Sequence, residues 1–221
     1  MIKQSNFHSI PRQAKRLEER HTDTSLEVDI CGMKIVVEPG VYQTSGDSEL
    51  MAEVVDIGKD QSFLEIGCGT GVVSIVVAKQ VACGIGVDIN EKAVANARRN
   101  AETQKAKNLE FLVSNVFEKV VGDFDVIICN PPYTKHDVRD NIDRMFWDPE
   151  DDMKRTFFKE AESHLKPGGK IYFGWADFAD IDTELPFKLA EENGYVLVNT
   201  FKKSHKSGFY FYVFEFARKA E

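Results

Sequence analysis

The sequence has no long hydrophobic run. Its longest apolar stretch, residues 72–78, is interrupted by a serine and is far shorter than the roughly 20 residues that span a bilayer. The first eight residues contain no apolar stretch like that of a signal peptide. There is also no internal repeat, low-complexity tract or linker. These absences predict a cytoplasmic protein without a membrane span.

The cysteines have no metal-site spacing. Cys31, Cys68, Cys83 and Cys129 never form a C-x-x-C pair, and most lie in apolar, strand-like surroundings. Buried free thiols in a reducing compartment are therefore the favoured interpretation, and a metal ligand set or a disulfide is the alternative. We expect no bound metal.

The chain lacks an excess of basic residues. It has 36 acidic against 28 basic side chains and a formal charge of −8, which argues against a basic footprint over the whole surface for nucleic acid. A local basic patch stays possible. The length of 221 residues and the 43% hydrophobic content, which includes 16 phenylalanines, suit one folded α/β domain of ordinary size.

From about residue 62 onward, short apolar runs alternate with helical patterns, which predicts a parallel sheet covered by helices. The link between the last two strands, residues 202–208, is too short for a crossover helix, so these strands pair antiparallel. We predict an α/β, Rossmann-like, doubly wound sheet of seven strands, mostly parallel with an antiparallel last strand. The predicted strands are residues 63–66, 84–88, 109–113, 124–129, 170–175, 195–201 and 209–216, and the predicted helices are 70–80, 90–101, 148–165 and 182–193.

A short helix at 10–20 and a hairpin of strands 26–30 and 33–37 precede the sheet. We expect residues 1–40 to form an N-terminal extension and residues 41–221 to form the main domain.

A glycine-rich turn joins the first strand of the sheet to its first helix. Gly67, Gly69 and Gly71 let the chain turn tightly and let a ligand approach the backbone at a helix N-terminus. Asp88 ends the next strand, 23 residues after Glu65, where doubly wound folds place a carboxylate on ribose hydroxyls. Together they predict a site for a nucleoside-bearing cofactor. The alternatives are a plain turn and a helix-capping role for Asp88.

The spacing is G-x-G-x-G rather than the dinucleotide pattern G-x-G-x-x-G, and Glu65 would repel a pyrophosphate. An acid there suits a cofactor with positive charge, such as S-adenosylmethionine. This segment resembles motif I of class I S-adenosylmethionine-dependent methyltransferases, and the resemblance extends over roughly residues 40–217. It implies that the three glycines surround the methionine moiety and that Asp88, with Ile89 beside it, binds the ribose. It also implies that Asn115 stands where many relatives have an acid near the adenine.

Asn130-Pro131-Pro132-Tyr133 follows the fourth strand at the edge where open α/β sheets bind ligands. The prolines remove two N–H donors, so carbonyls and the Asn130 side-chain oxygen are left as acceptors, and Tyr133 adds a flat ring. Such a site suits a planar –NH2 group, held by Asn130 and the Pro131 carbonyl and stacked on Tyr133. A simple turn after a strand is the alternative.

The tetrapeptide resembles motif IV of N-methyltransferases that act on planar amines, a group that includes base amino-methyltransferases and the HemK-like glutamine methyltransferases. Residues 40–50 resemble the segment that lies over the cofactor in small-domain and HemK-like enzymes, which makes Tyr42, Thr44 and Ser48 candidate contacts. The alternative for this segment is a helix start capped by Asp47 or Ser48.

The resemblance implies an N-methyltransferase, and the acidic charge narrowly favours a protein glutamine amide as acceptor. The acids that follow Tyr133 predict an acidic lip that disfavours a phosphate backbone; they are Asp137, Asp140, Asp143, Asp148, Glu150, Asp151 and Asp152. The alternatives are an exocyclic amine of adenine or guanine in rRNA, tRNA or DNA, and a non-catalytic cofactor-binding protein. Basic residues that could contact RNA, with plain solvated charges as the alternative, are Arg12, Lys15, Arg16, Arg20, Lys202, Lys203, His205 and Lys206. Trp175 and Phe178 are candidates to line the substrate groove, with a place in the core as the alternative.

Overall fold

The computed structural model describes residues 2–21 and 24–219. Its strands are β1 (Leu26–Ile30), β2 (Met33–Val37), β3 (Ser62–Ile66), β4 (Cys83–Asp88), β5 (Leu109–Val113), β6 (Phe124–Cys129), β7 (Leu165–Ala176), β8 (Tyr195–Ser204) and β9 (Tyr210–Arg218). Its α-helices are α1 (Ile10–Arg20), α2 (Gly46–Val54), α3 (Val72–Val77), α4 (Glu91–Thr103), α5 (Asp152–Glu160) and α6 (Leu185–Glu192). Short 3₁₀ turns lie at Asp143–Met145, Pro149–Asp151 and Ala161–His164.

One seven-stranded sheet dominates the fold, in the order β5-β4-β3-β6-β7-β9-β8. The pairs from β5 to β7 are parallel, whereas β9 lies between β7 and β8 and runs antiparallel to both. Consecutive residues in the central strands, such as Phe63 with Leu64 and Ile127 with Ile128, have no exposed side-chain surface. Both faces of the sheet are therefore covered, as in a doubly wound fold. The predicted architecture is confirmed.

Strand β7 begins at Leu165, five residues earlier than predicted, because the Pro-Gly-Gly segment lies within the strand rather than before it. Its pairing with β6 passes from Leu165 opposite Phe124 to Lys170 opposite Val126. The extra residues form a bulge, which lets a proline and two glycines remain inside a paired strand.

Helix α5 begins at Asp152 rather than at Pro149, because Glu150 and Asp151 have φ values of 53° and 60° that no helix continues. Asp148 nevertheless caps the helix: its carboxylate accepts the backbone N–H of Met153 at 3.0 Å and of Lys154 at 3.2 Å. Asp148 thus acts on the start of α5 across the 3₁₀ turn.

The N-terminal segment crosses the carboxyl edge of the sheet. The backbone N–H of Ser5 donates to the Asp177 carbonyl, and that of Ala179 donates to the Phe7 carbonyl, both at 2.8 Å. The Ser9 hydroxyl donates to Asp180 at 2.7 Å. These bonds hold α1 over the loop that follows β7, so the predicted extension lies beside the predicted site. The division at residue 40 stays a prediction.

All four cysteines are free thiols, as predicted, although Cys83 is exposed and Cys31 only half-buried. Across residues 2–21 and 24–219, no helix is long and apolar enough to cross a membrane.

Candidate active site

One cavity of about 390 Å³ lies at the carboxyl ends of β3, β4 and β6. It brings together nearly all the residues that the sequence analysis proposed. The lining includes Tyr42, Thr44, Ser48, Glu65, Gly67, Gly69, Asp88, Ile89, Asn115, Asn130, Pro131, Pro132 and Tyr133. Gly71 lies outside the lining: a Cβ there would stand 2.9 Å from the Cβ of Ala97, so this glycine lets α3 pack closely on α4.

The glycine turn is held by backbone bonds. Gly67 and Cys68 donate their N–H groups to the Val87 carbonyl at 2.8 and 2.9 Å, and Gly69 donates to the Asp88 carboxylate at 2.9 Å. Gly67 and Gly69 have φ values of 77° and 53°, and a Cβ at either would meet nothing within 4 Å. The turn therefore leaves open space beside its backbone, in which a ligand can lie against it.

Asp88 is fixed at both oxygens. One accepts from Gly69 and the other from the backbone N–H of Asn90 at 2.9 Å. Burial raises the pKa of Asp88, and these backbone bonds act in the opposite direction. Ser114 donates its backbone N–H to the Asp88 carbonyl at 3.0 Å, which places the exposed Asn115 at the rim of the same cavity.

Glu65 is buried and has a partner inside the protein. It accepts from the backbone N–H of Ser74 at 2.9 Å and from the Ser74 hydroxyl. Burial raises the pKa of Glu65 to about 8, so the carboxyl is mostly protonated at neutral pH. The sequence analysis missed Ser74, whose position at the start of α3 was the available signal.

Thr44 supplies an unused group to the cavity. Its hydroxyl is buried, and none of the described residues forms a hydrogen bond with it. A buried polar group without a partner is rare in a folded protein and calls for a ligand or a water. Together with the open space at the glycine turn, this hydroxyl shows that the cavity fits a polar cofactor.

Asn130 is held by two side chains. Its amide oxygen accepts the Tyr133 hydroxyl at 2.7 Å, and its amide nitrogen donates to Asp47 at 3.2 Å. An amide oxygen has two lone pairs, so one remains for a ligand. A Cβ at Gly174 on β7 would lie 2.2 Å from this oxygen, so that strand requires a glycine here. The sequence analysis assigned Tyr133 a stacking role and did not foresee its bond to Asn130.

Asp47 bonds to Asn130 and to three hydroxyl groups around it, and the sequence analysis missed this role. Its buried carboxylate accepts from the hydroxyls of Tyr42 at 2.9 Å, Ser45 at 2.7 Å and Tyr133 at 3.3 Å, besides Asn130. The N-cap of α2 is Ser45, so neither Asp47 nor Ser48 holds the cap position considered from the sequence. Burial, with Asp47 nearby, raises the pKa of both tyrosines.

A buried lysine anchors the Pro-Pro segment. Lys154 has no exposed side-chain surface, pairs with Asp148 at 2.9 Å and with Asp151 at 3.1 Å, and donates to the Pro132 carbonyl at 3.0 Å. Among the described residues, no donor approaches the Pro131 carbonyl, the acceptor proposed from the sequence. The segment is therefore rigid, and one of its carbonyls is available.

The structure corrects the predicted acidic lip at two of its acids. Asp148 forms an ion pair with Lys154, and the buried Asp143 pairs with Arg139 at 2.8 Å and with His21 at 3.1 Å. The Arg139 side chain holds the pKa of Asp143 well below its usual range. These two acids therefore stabilise the fold, whereas Asp137, Asp140 and Asp152, which also follow Tyr133, are exposed.

The mouth of the cavity is cationic and aromatic instead. Arg12 and Arg16 of α1, Arg144 and His205 line it, together with Phe7, Phe146, Trp147, Phe178, Phe209 and Phe211. Two of the other predicted RNA contacts form ion pairs, Lys15 with Glu19 and Lys203 with Glu49. The buried Arg20 donates to the Glu38 carbonyl. Lys202 and Lys206 lie outside the cavity lining. Trp175 is fully buried and belongs to the core.

The structure thus combines a doubly wound sheet, a G-x-G-x-G turn, a following acid and an Asn-Pro-Pro-Tyr edge, which are the features of the class I methyltransferase resemblance. The sequence profile of the methyltransferase small domain matches residues 32–202. The chain therefore belongs to this family and is an S-adenosylmethionine-dependent methyltransferase.

A Methanocaldococcus jannaschii protein with the provisional name protein N5-glutamine methyltransferase is 40% identical over 152 residues, which are 65% of this chain and 76% of that protein. The ribosomal RNA small subunit methyltransferase C of Escherichia coli is 29% identical over 66% of this chain and 40% of its own length. A Thermus thermophilus 16S rRNA N2 G1207 methyltransferase, solved with AdoMet and guanosine, has a TM-score of 0.62 and 22% identity, over 89% of this chain and 50% of that one. This last likeness concerns the fold.

Proposed function

We propose that this enzyme methylates the nitrogen of a planar amine that is held by Asn130. The observation that carries the proposal is the position of the Asn130 amide oxygen. Tyr133 and Asp47 fix that oxygen in the same cavity as the glycine turn and Asp88. Cofactor and acceptor sites thus share one space at the edge of the sheet where such folds bind ligands.

We assign the cofactor end of the cavity to residues that fit a nucleoside and an amino acid. Gly67, Gly69 and the unpartnered Thr44 hydroxyl surround the methionine portion, with Glu65 behind the turn. Asp88 and Ile89 bind the ribose, and Asn115 lies at the adenine. When bound, S-adenosylmethionine supplies an electrophilic methyl group on its sulfonium.

The acceptor chemistry follows from the hydrogen-bonding groups. The lone pair of an amide or aromatic amine is delocalised, so the nitrogen is a poor nucleophile until its N–H groups are held out of plane. The Asn130 oxygen and the Pro131 carbonyl accept those two N–H groups and favour the positive charge that develops on nitrogen. No strong base is needed.

Two acceptors fit this chemistry. The relative from M. jannaschii supports the glutamine side-chain amide of a protein, which the sequence analysis narrowly favoured. The cationic, aromatic mouth supports an exocyclic base amine, as does the similarity to the E. coli rRNA enzyme. The acidic lip, on which the preference for glutamine rested, is weakened by the pairing of Asp143 and Asp148.

We also propose a cytoplasmic location, since all four thiols are free. Residues 41–221 form the methyltransferase domain in this proposal, and residues 1–40 are an addition that supplies α1 to the mouth.

The test is methyl transfer from isotopically labelled S-adenosylmethionine to a cell lysate, sorted into protein and nucleic-acid fractions and analysed by mass spectrometry. We expect label on a glutamine or on a base amine with the wild-type enzyme and at least about 100-fold less label with Asn130→Ala. Asn199→Ala, on the exposed strand β8, is the matched control. Cofactor binding without transfer to any fraction would instead support a non-catalytic cofactor-binding protein.

A further inference from the structure

Three arginines at the mouth of the cavity have no acidic partner. Arg12, Arg16 and Arg144 form what we call the arginine rim. Within residues 2–21 and 24–219, no carboxylate lies within 4.0 Å of any of the three guanidinium groups. Arg99, Arg139 and Arg218 each pair with a glutamate or aspartate. Arg20, Arg98 and Arg155 form no ion pair among the described residues either, but they donate to backbone carbonyls and lie outside the cavity lining. The rim is therefore distinguished by its position at the mouth of the cavity.

The rim is built against aromatic rings. The Arg16 guanidinium lies 5.5 Å from the ring centre of Tyr42 and 5.4 Å from that of Phe146, and it donates to the Gln43 carbonyl at 3.0 Å. Arg12 lies 6.0 Å from the ring centre of Phe7. These contacts orient the guanidinium planes but use few of the five N–H donors that each arginine carries.

Arg144 provides the sharpest signal. Its Nε is buried and has no hydrogen-bond partner among the described residues, although the side chain lines the cavity. A buried guanidinium N–H without an acceptor is costly, and an anionic ligand would satisfy it with a charge-assisted bond.

The rim adjoins the proposed amine site. Arg16 lies over the Tyr42 ring, the Tyr42 hydroxyl donates to Asp47 at 2.9 Å, and Asp47 accepts from Asn130 at 3.2 Å. The rim and Asn130 therefore line one cavity and are linked through Tyr42 and Asp47.

Each acid that shares the cavity has hydrogen-bond or ion-pair partners other than the rim. Asp47 is surrounded by hydroxyls, Glu65 is bonded to Ser74, Asp88 to backbone N–H groups, and Asp148 to Lys154. The pKa of His205 at the mouth is lowered, first by burial and then by the positive charges of Arg12, Lys206 and Arg16. Asp47 acts on this pKa in the opposite direction.

We propose that the arginine rim binds a phosphate group of the methyl acceptor, so that the acceptor is a nucleotide base amine rather than an uncharged amide. The combination of forked guanidinium groups with exposed aromatic faces suits a phosphate next to a planar base. This inference rests on the proposed methyl transfer to a planar amine and names its acceptor class.

The test is calorimetric binding to the full chain saturated with S-adenosylhomocysteine, which blocks the nucleoside site of the cofactor. The probes form two pairs, guanosine 5′-monophosphate with guanosine and adenosine 5′-monophosphate with adenosine. The quantity measured is the ratio of the affinity of the monophosphate to that of the nucleoside in each pair. We expect the monophosphate of at least one pair to bind about tenfold more tightly at low salt, with the ratio falling as salt rises. A ratio near one in both pairs overturns the proposal.

The test variant combines Arg16→Gln with Arg144→Gln. The matched control is Arg155→Gln, since Arg155 is an exposed arginine outside the cavity lining. We expect the double variant to bring the ratio close to one while it keeps the affinity for S-adenosylhomocysteine, and the control to keep the wild-type ratio. A ratio that survives the double change contradicts the rim as the phosphate site. Should the double variant unfold, Arg144→Lys, which keeps the charge but loses the fork, must lower the ratio.

Two short peptides complete the experiment, each with one glutamine, flanked by glutamates in one and by serines in the other. If the acidic peptide alone shows the tenfold preference, the rim recognises acidic proteins and the phosphate proposal fails. The methyl-transfer assay is separate: absence of any labelled product overturns the proposed function, whereas labelled product with no monophosphate preference overturns only the rim.

Discussion

The two ends of the cavity are built by different means. At the cofactor end, backbone N–H groups of a single turn bond to a carbonyl and a carboxylate of the next strand, as when Gly69 donates to Asp88, 19 residues away. At the acceptor end, side chains from distant segments bond to each other, as when Asn130 donates to Asp47 across 83 residues of sequence. The first end depends on backbone conformation, and the second depends on individual side-chain atoms.

This difference predicts different sensitivities. A change at the glycine turn acts by filling the space beside the backbone, so the size of the new side chain decides the effect. A change at the acceptor end acts by moving one hydrogen-bonding atom, so even an isosteric replacement has an effect.

Gly69→Arg should have the largest effect, because the side chain fills the open space over the turn in a backbone with positive φ. We expect loss of measurable S-adenosylmethionine binding by calorimetry. The matched control is Gly122→Arg, since Gly122 also has positive φ and nothing within 4 Å of its Cβ position, but lies outside the cavity. Equal affinity in the two variants would refute the assignment of the glycine turn.

Asn130→Ala should reduce kcat by about 10²–10³-fold, as removal of one group that stabilises developing charge does in other enzymes. Cofactor affinity should stay nearly unchanged, because Asn130 belongs to the acceptor end. Steady-state kinetics on the acceptor identified from lysate, together with calorimetry, measure the two quantities. Joint loss of turnover and cofactor binding would show that the two ends are not separable.

Asp47→Asn should lower kcat by about 10- to 100-fold, because small misplacements of a reacting group cost that much. The new amide has one acceptor where the carboxylate accepts four donors, so Asn130 loses its fixed orientation. Asp47 is a positioning residue, so KM for the acceptor should change less than kcat. An unchanged kcat would leave Tyr133 as the sole support of Asn130.

Glu65→Gln should have the smallest effect on activity and a visible effect on stability. The pKa of Glu65 is about 8 in the folded chain against 4.5 for a free side chain, so between these values the folded state holds a proton that the unfolded state has released. The free energy of unfolding therefore falls as pH rises from about 5 to 8, and the variant should lose this part of the slope. Urea titrations from pH 5 to 8 measure the slope of the unfolding free energy against pH, with the exposed Glu110→Gln as control. Identical slopes for the wild type and Glu65→Gln would show that the bound proton lies on another group.

Much of the fold followed from sequence patterns. The alternation of apolar runs with helices predicted the seven strands, and the short link 202–208 predicted the antiparallel end. Element ends were less predictable: α5 starts late because Glu150 and Asp151 adopt positive φ, and β7 starts early because a bulge absorbs the Pro-Gly-Gly segment. Such conformations depend on contacts that residue patterns do not show, such as the ion pair of Lys154 with Asp148 and the pairing of β6 with β7.

The sequence by itself determined the glycine turn and the acid after the next strand, because these are local features whose geometry is set by the backbone. Only the tertiary structure decided the acceptor end. It joined Asp47 to Asn130, consumed Asp143 and Asp148 in ion pairs, and brought Arg12, Arg16 and Arg144 to one mouth. A total charge of −8 cannot reveal such a patch, since the sign of a surface depends on which charges the fold pairs and which it leaves exposed.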